Sequence, residues 1–135
     1  MYSEDLLEEE LQTFNWNEVD TYPTFSSCDS ITVKADSKAC FQNTLIGSVN
    51  QFLEAQNLVV SNDINDTIRL KIIIDNTGLL EIESINFKPE TAIEIPEIDS
   101  LLRQSLKEIP KIYPAIKRGQ HVTTAFELPI IVRIN

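Results

Sequence analysis

The chain has 135 residues, 42% of them hydrophobic, and a formal charge of −10 from 21 acidic against 11 basic side chains. That length suits one domain with a real core. The acid excess excludes the dense lysine and arginine needed to grip phosphates, so no nucleic acid is expected as a partner.

No run approaches the roughly 18 apolar residues of a membrane helix, and no basic-then-apolar leader opens the sequence. A cytoplasmic location is expected if Met1 is the native start; otherwise a leader or anchor has been removed. The charge is uneven. Eight acidic side chains (Glu4, Asp5, Glu8, Glu9, Glu10, Glu18, Asp20, Asp29) precede the first basic one, Lys34. Beyond residue 101, Arg103, Lys107, Lys111, Lys117, Arg118 and Arg133 face only Glu108 and Glu127. Residues 1–20 therefore form either a solvated acidic arm or a segment lying across the basic C-terminal third.

Residues 3–14 place Leu6, Leu7, Leu11 and Phe14 at helical spacing behind Ser3, which predicts a short docked or frayed helix. The irregular stretch to residue 30 carries Trp16, Tyr22, Pro23 and Phe25, read as anchors that pin an extended arm. Cys28 and Cys40 bracket a loop that a disulfide would stabilise by about 3 kcal/mol in an oxidising compartment. Two free thiols are the alternative. With His121 they match no recognised metal spacing, so no metal site is expected.

A helix is predicted over residues 37–56, where Phe41, Leu45, Val49, Phe52 and Leu53 make one stripe. Asp36 or Ser37 is its expected N-cap, and Asn57 its close. Residues 67–74 alternate Ile68, Leu70, Ile72 and Ile74 inward. Asp75-Asn76-Thr77-Gly78 makes the turn, and residues 79–87 return as the second strand of a hairpin. Residues 88–96 read as a loop with two prolines. A helix over 96–109 carries Ile98, Leu101, Leu102, Leu106 and Ile109 and stops at Pro110. Pro110 and Pro114 keep the following linker extended.

The chain closes on a strand with Val122, Thr124, Phe126, Leu128, Ile130, Val132 and Ile134 on one parity. Pro129 lacks a ladder donor, which predicts a sheet edge on the side of that missing N–H. These elements give an α+β fold: a small antiparallel β-sheet, hairpin plus C-terminal edge strand, packed against two helices.

Catalytic machinery is not expected. His121 is the sole histidine, on the parity opposite the core face, and no Gly-rich phosphate loop exists. The carboxylate pairs Glu81/Glu83 and Glu94/Glu97 read as solvated surface. No enzyme activity and no cofactor follow from these residues.

The helix–hairpin–helix–strand order ends in Ile109, Pro110, Lys111, Pro114, Ala115, Arg118, Gly119, Val122, Phe126, Leu128, Pro129 and Ile130. With Pro23, Phe25, Cys28, Cys40 and Phe41 ahead of the long helix, it resembles the C-terminal domain of the TonB energy transducer in its divergent Bacteroidetes-type form. The resemblance covers residues 19–134, and it divides the chain into an acidic arm (1–20) and a TonB C-terminal-like domain (21–135). It implies a periplasmic location, a Cys28–Cys40 disulfide and an interaction role in energy-driven transport across the outer membrane. The implied partner is an extended segment of a TonB-dependent outer-membrane receptor, added as a strand at the sheet edge. The implied partner-binding residues are His121, Val122, Thr123, Thr124, Ala125 and Phe126, with Arg118 beside them. In this chain Asn57-Leu58-Val59-Val60 stands where the family has Tyr-Pro. Two other readings compete: a small-ligand module with a cavity lined by Phe41, Leu45, Phe52, Leu70 and Ile72, and a homodimer formed through exposed edges.

Overall fold

The computed structural model describes residues 13–135, so the helix expected over 3–14 falls, up to residue 12, outside the described residues. Its last positions are strand: Thr13–Asn15 forms β1. The remaining elements are β2 (Thr24–Phe25), α1 (Lys34–Ala55), β3 (Ile64–Ile74), β4 (Leu80–Asn86), α2 (Pro89–Glu94), α3 (Ile98–Ser105), β5 (Ile112–Tyr113), β6 (Ala115–Lys117) and β7 (Gln120–Ile134). The protein is thus α+β, with a five-stranded sheet ordered β1-β7-β3-β4, β6 also pairing β7, and a separate β2-β5 ribbon.

Two expectations about the sheet are corrected. It is mixed, because β1 pairs parallel with β7, in the register Thr13 to Thr123 and Asn15 to Ala125. β7 is also interior at residues 123–125, where β1 covers the flank away from β3, and β6 pairs antiparallel with its start from Ala115–Val122 to Lys117–Gln120. Polar residues ahead of Gly119 hid β6. Its two-residue turn puts Arg118 at φ 52 and Gly119 at φ 74, the doubly left-handed geometry that suits a tight hairpin.

The described chain forms two compact units. The first holds residues up to Phe41, Ile72–Glu81 and Pro110–Phe126. Its core is aromatic. Trp16 stacks on Phe126 at 4.3 Å between centroids and tilts against Tyr22 at 5.2 Å, and Phe25 stacks on Phe41 at 4.9 Å. Trp16, Tyr22, Phe25 and Phe41 are all buried, as anchors of an extended arm should be. An Asn15–Glu18 capping box closes the short 3-10 turn that carries Trp16. Lys34 and Lys38, one turn apart on α1, sit over the Tyr22 and Trp16 rings, and Lys34 donates to the Val19 carbonyl at 2.8 Å. These contacts start α1 earlier than the expected caps Asp36 and Ser37. The Val33 carbonyl accepts from Ser37 N–H, so Asp36 lies inside the first turn, where its charge complements the helix dipole. Cys28 and Cys40 form a disulfide.

Arm and C-terminal third do meet, through backbone and side chains, and Lys117 sits over the Phe14 ring at 4.3 Å. Thr21 and Ile116 exchange N–H···O bonds at 3.0 Å, and Asp20 accepts from the Arg118 backbone N–H at 2.8 Å.

The second unit comprises Gln42–Lys71, Ile82–Ile109 and Glu127–Asn135. Here β3 begins three residues before the expected strand. Asp66 shares the inward parity and is buried, accepting from Lys88 N–H at 2.8 Å and the Thr91 hydroxyl at 2.7 Å. A buried carboxylate on a core face looks like a strand end in sequence; its two donors make the position tolerable. Those donors belong to α2, a helix in the segment read as a loop, and to the residue just before it. Pro89 occupies its first turn, the one helical place where a missing N–H costs nothing. Glu94 then accepts from the Ser61 and Asn62 backbone N–H groups at 2.6 and 3.0 Å. The Asn62 and Ser61 donors lower its pKa despite slight opposition from desolvation. The expected helix over 96–109 shortens to α3, ending at Ser105. Asn57, at φ 52, closes α1 as expected.

The hairpin turn contains two opposed tests. Gly78 has φ +91, and a Cβ there would run into the Ile112 carbonyl oxygen. Gly78→Ala is expected to destabilise by more than about 1 kcal/mol in urea unfolding. Gly47→Ala, in α1 with open space around its Cβ, should instead stabilise by up to about 1 kcal/mol. Equal effects would contradict the turn geometry.

Asp75 accepts from Thr77 N–H, the Thr77 hydroxyl and Leu79 N–H at 2.8, 2.6 and 3.0 Å. Burial pushes its pKa up, but the Thr77 hydroxyl and the Leu79, Thr77 and Gly78 backbone donors together outweigh that and hold it below 3.8. A depressed carboxylate stabilises above its unfolded pKa and loses that contribution as pH falls through the folded one. Asp75→Asn should therefore cost stability at pH 7, with the cost shrinking as pH drops below about 4.

Candidate functional site

Strand β7 alternates without a slip: Val122, Thr124, Phe126, Leu128, Ile130 and Val132 are buried, and the intervening residues are half-buried or exposed. Peptide groups alternate direction with the same period as side chains. Gln120 pairs with Lys117 across the two-residue turn, so its N–H and C=O point toward β6. On β3, Asp75 N–H bonds Leu79 and Lys71 opposes Glu83, so its odd residues turn their peptide groups to β4 and its buried even residues turn theirs to β7. The even residues of β7 therefore offer their peptide groups to β6 and then β3, and the odd ones to the opposite flank, where β1 pairs.

This places the expected partner residues in two groups. β6 pairs with one flank of β7 at residues 120–122, and β1 with the other at residues 123–125. Of the expected docking residues, Thr123, Thr124 and Ala125 are thus paired with the chain's own arm. Phe126 is buried in the aromatic core. Arg118 sits in the β6–β7 turn, its backbone N–H held by Asp20. His121 is exposed.

Beyond residue 125 no strand pairs with the β1 flank among the described residues. Glu127, Pro129, Ile131 and Arg133 lie on the open parity, so the donor that Pro129 lacks would have pointed to the unpaired flank, where a proline costs no ladder bond.

A groove of about 430 Å³ lies within the second unit, lined by Asn50, Leu53, Glu54, Asn57, Leu58 and residues 131–134. Four consecutive strand residues cannot share one face of a sheet, so this groove runs along the strand's flank. The β3 flank is occupied, which leaves the open one. One wall is the last turn of α1, where Leu53 is buried and Leu58 half-buried. The rim carries Ile131, 59% exposed, on an otherwise polar surface. Sequence reasoning missed these residues, although Leu58-Val59-Val60 marked the place: Val59 is 90% exposed.

A second groove of about 440 Å³ is lined by Ser48, Gln51, Phe52, Gln104, Ser105, Lys107 and Glu108. It contains one of the five residues expected to line a ligand cavity, Phe52. Phe41, Leu45, Leu70 and Ile72 have no exposure, as close-packed core residues do. Among the described residues no cluster of His, Cys, Asp or Glu stands ready to hold a metal, and no helix is long and apolar enough to cross a membrane. No family model, curated protein or solved structure matches the chain.

The parity assignment has a direct test in hydrogen exchange. Amides of Glu127, Ile131 and Arg133 are expected to exchange much faster than those of Leu128, Ile130 and Val132, which bond β3. Uniform protection across residues 127–134 would show the flank to be closed.

Proposed function

We propose that the protein is a periplasmic protein-interaction module resembling the TonB C-terminal domain, which docks an extended segment of a TonB-dependent outer-membrane receptor by strand addition. The docking line is the open flank of β7 over residues 128–134, in place of the residues around His121. One observation carries the reading: a groove follows an unpaired strand flank that offers the peptide groups of Glu127, Ile131 and Arg133, with Pro129 contributing only its carbonyl. Main-chain hydrogen bonds supply affinity in such a mode, and pockets for alternate side chains supply selectivity. An added strand would satisfy the unpaired groups and cover Leu53 and Leu58 from one side.

The disulfide supports a periplasmic setting, since such bonds persist in oxidising compartments. The arm supports the choice of half-strand. β1 has taken the proximal part of the flank and leaves the line at the Trp16 turn, so a newcomer meets an open edge only farther along. Transmission of force lies outside this proposal.

Titration of receptor-derived peptides, followed by amide shifts, is the test. Peptide binding should perturb residues 128–134 and protect the amides of Glu127, Ile131 and Arg133, with shifts at Leu53 and Leu58. It should leave residues 121–125 little changed. Silence along 128–134 with every peptide, or perturbation confined to 121–125, would overturn the assignment. Sedimentation of the free protein serves as the control, because a second copy paired along the same flank would appear as a dimer.

A further inference from the structure

The open flank has a chemistry of its own on the face away from the buried parity. Glu127 and Arg133 are both exposed there, and Ile131 lies between them at 59% exposure. At about 3.3 Å per residue the two charges stand roughly 20 Å apart along the strand. Neither makes an ion pair with any described residue. On β3, Lys71 is engaged with Glu83 at 3.6 Å, and Arg69, also exposed, does not pair with Glu127. Two opposite charges thus bracket an exposed aliphatic side chain along an unpaired strand.

We infer that the segment this flank accepts is a charge-bracketed strand: a basic residue beside Glu127, an aliphatic residue beside Ile131 and an acidic residue beside Arg133. On the alternate parity it carries apolar side chains facing Leu53 and Leu58. The inference rests on the strand-addition reading and adds the partner's side-chain chemistry to it. Directly opposed cross-strand pairs are where such preferences arise. An opposite-charge pair is favourable by about 0.2–1 kcal/mol and a like pair is unfavourable. A partner read this way differs from one drawn in by overall charge. At −10, the whole protein favours the most basic peptide available, wherever it binds.

Three synthetic peptides separate these cases. They share one alternating aliphatic pattern and differ in end charges: one basic and one acidic end, two basic ends, or two acidic ends. The native protein should bind the mixed peptide best, by roughly 1.5- to 5-fold per matched pair. Arg133→Glu should shift the preference to the doubly basic peptide, and Glu127→Lys to the doubly acidic one. Both positions are exposed strand residues outside the core, and circular dichroism checks that the variants fold. If all three proteins rank the peptides alike, with the doubly basic one first, overall charge governs and the inference fails while strand addition stands. If no peptide perturbs residues 128–134 in the native protein, strand addition fails and the inference with it.

Discussion

The stack of Trp16 on Phe126 holds the arm of this protein in place. A ring pair at 4.3 Å, nearly parallel and buried, ties a residue of the arm to the middle of the last strand. Aromatic pairs of this kind contribute about 0.5–1.5 kcal/mol beyond their burial, and losing such a ring from a core costs several times that. The three described residues of the strand just ahead of Trp16 could not keep a parallel register by their own ladder. Register is set instead by contacts C-terminal to that strand: the capping box, the ring stack, the lysines of α1 over Trp16 and Tyr22, and the Cys28–Cys40 bridge. Each restrains the arm at a different point, so β1 fills its stretch of β7 as a built part of the sheet.

That arrangement decides where an edge remains. A strand has two flanks, and β7 gives one to β6 and then β3. The other is taken by β1 at residues 123–125 and beyond them by nothing described. A sequence that looks like one long uniform strand therefore has three successive environments. Their boundaries are drawn by short segments elsewhere in the chain, a two-residue turn at Arg118-Gly119 and a turn at Trp16.

The parts of the fold that were legible in sequence are those whose signal is periodic and local. The hairpin around Asp75-Asn76-Thr77-Gly78, the stripe from Phe41 to Leu53 and the alternation from Val122 to Val132 all follow from where apolar side chains recur. The parts missed were decided by long-range partners. Asp66 ended the expected strand because a carboxylate on the core face reads as a breaker; its donors, Lys88 and Thr91, lie more than twenty residues away. Pro89 read as loop because a proline starts a helix only when the preceding chain permits it. Phe14 read as a helical residue because its spacing from Leu11 and Leu7 fits a helix, whereas its place is set by pairing with Thr124. The open flank was half legible. Pro129 marked the side on which it lies, but its extent depended on β1, whose three described residues have no strand-like pattern.

The two sheet edges differ in a way that bears on use. On β4 the half-buried positions move from Leu80 and Ile82 to Ile85 and Phe87, the slip of parity that a β-bulge produces. The outer edge there also has charged Glu81 and Glu83, and Arg103 donates to the Ile82 carbonyl at 3.2 Å. These are the devices by which proteins discourage edge-to-edge pairing. The distal flank of β7 has Pro129 and the exposed charges Glu127 and Arg133, but its alternation is unbroken, no side chain caps its carbonyls, and Ile131 is exposed between the charges. It also runs beside a groove with Leu53 and Leu58 in its wall, which leaves room for an added strand. That contrast is what favours the distal half of β7 over β4 as the docking line.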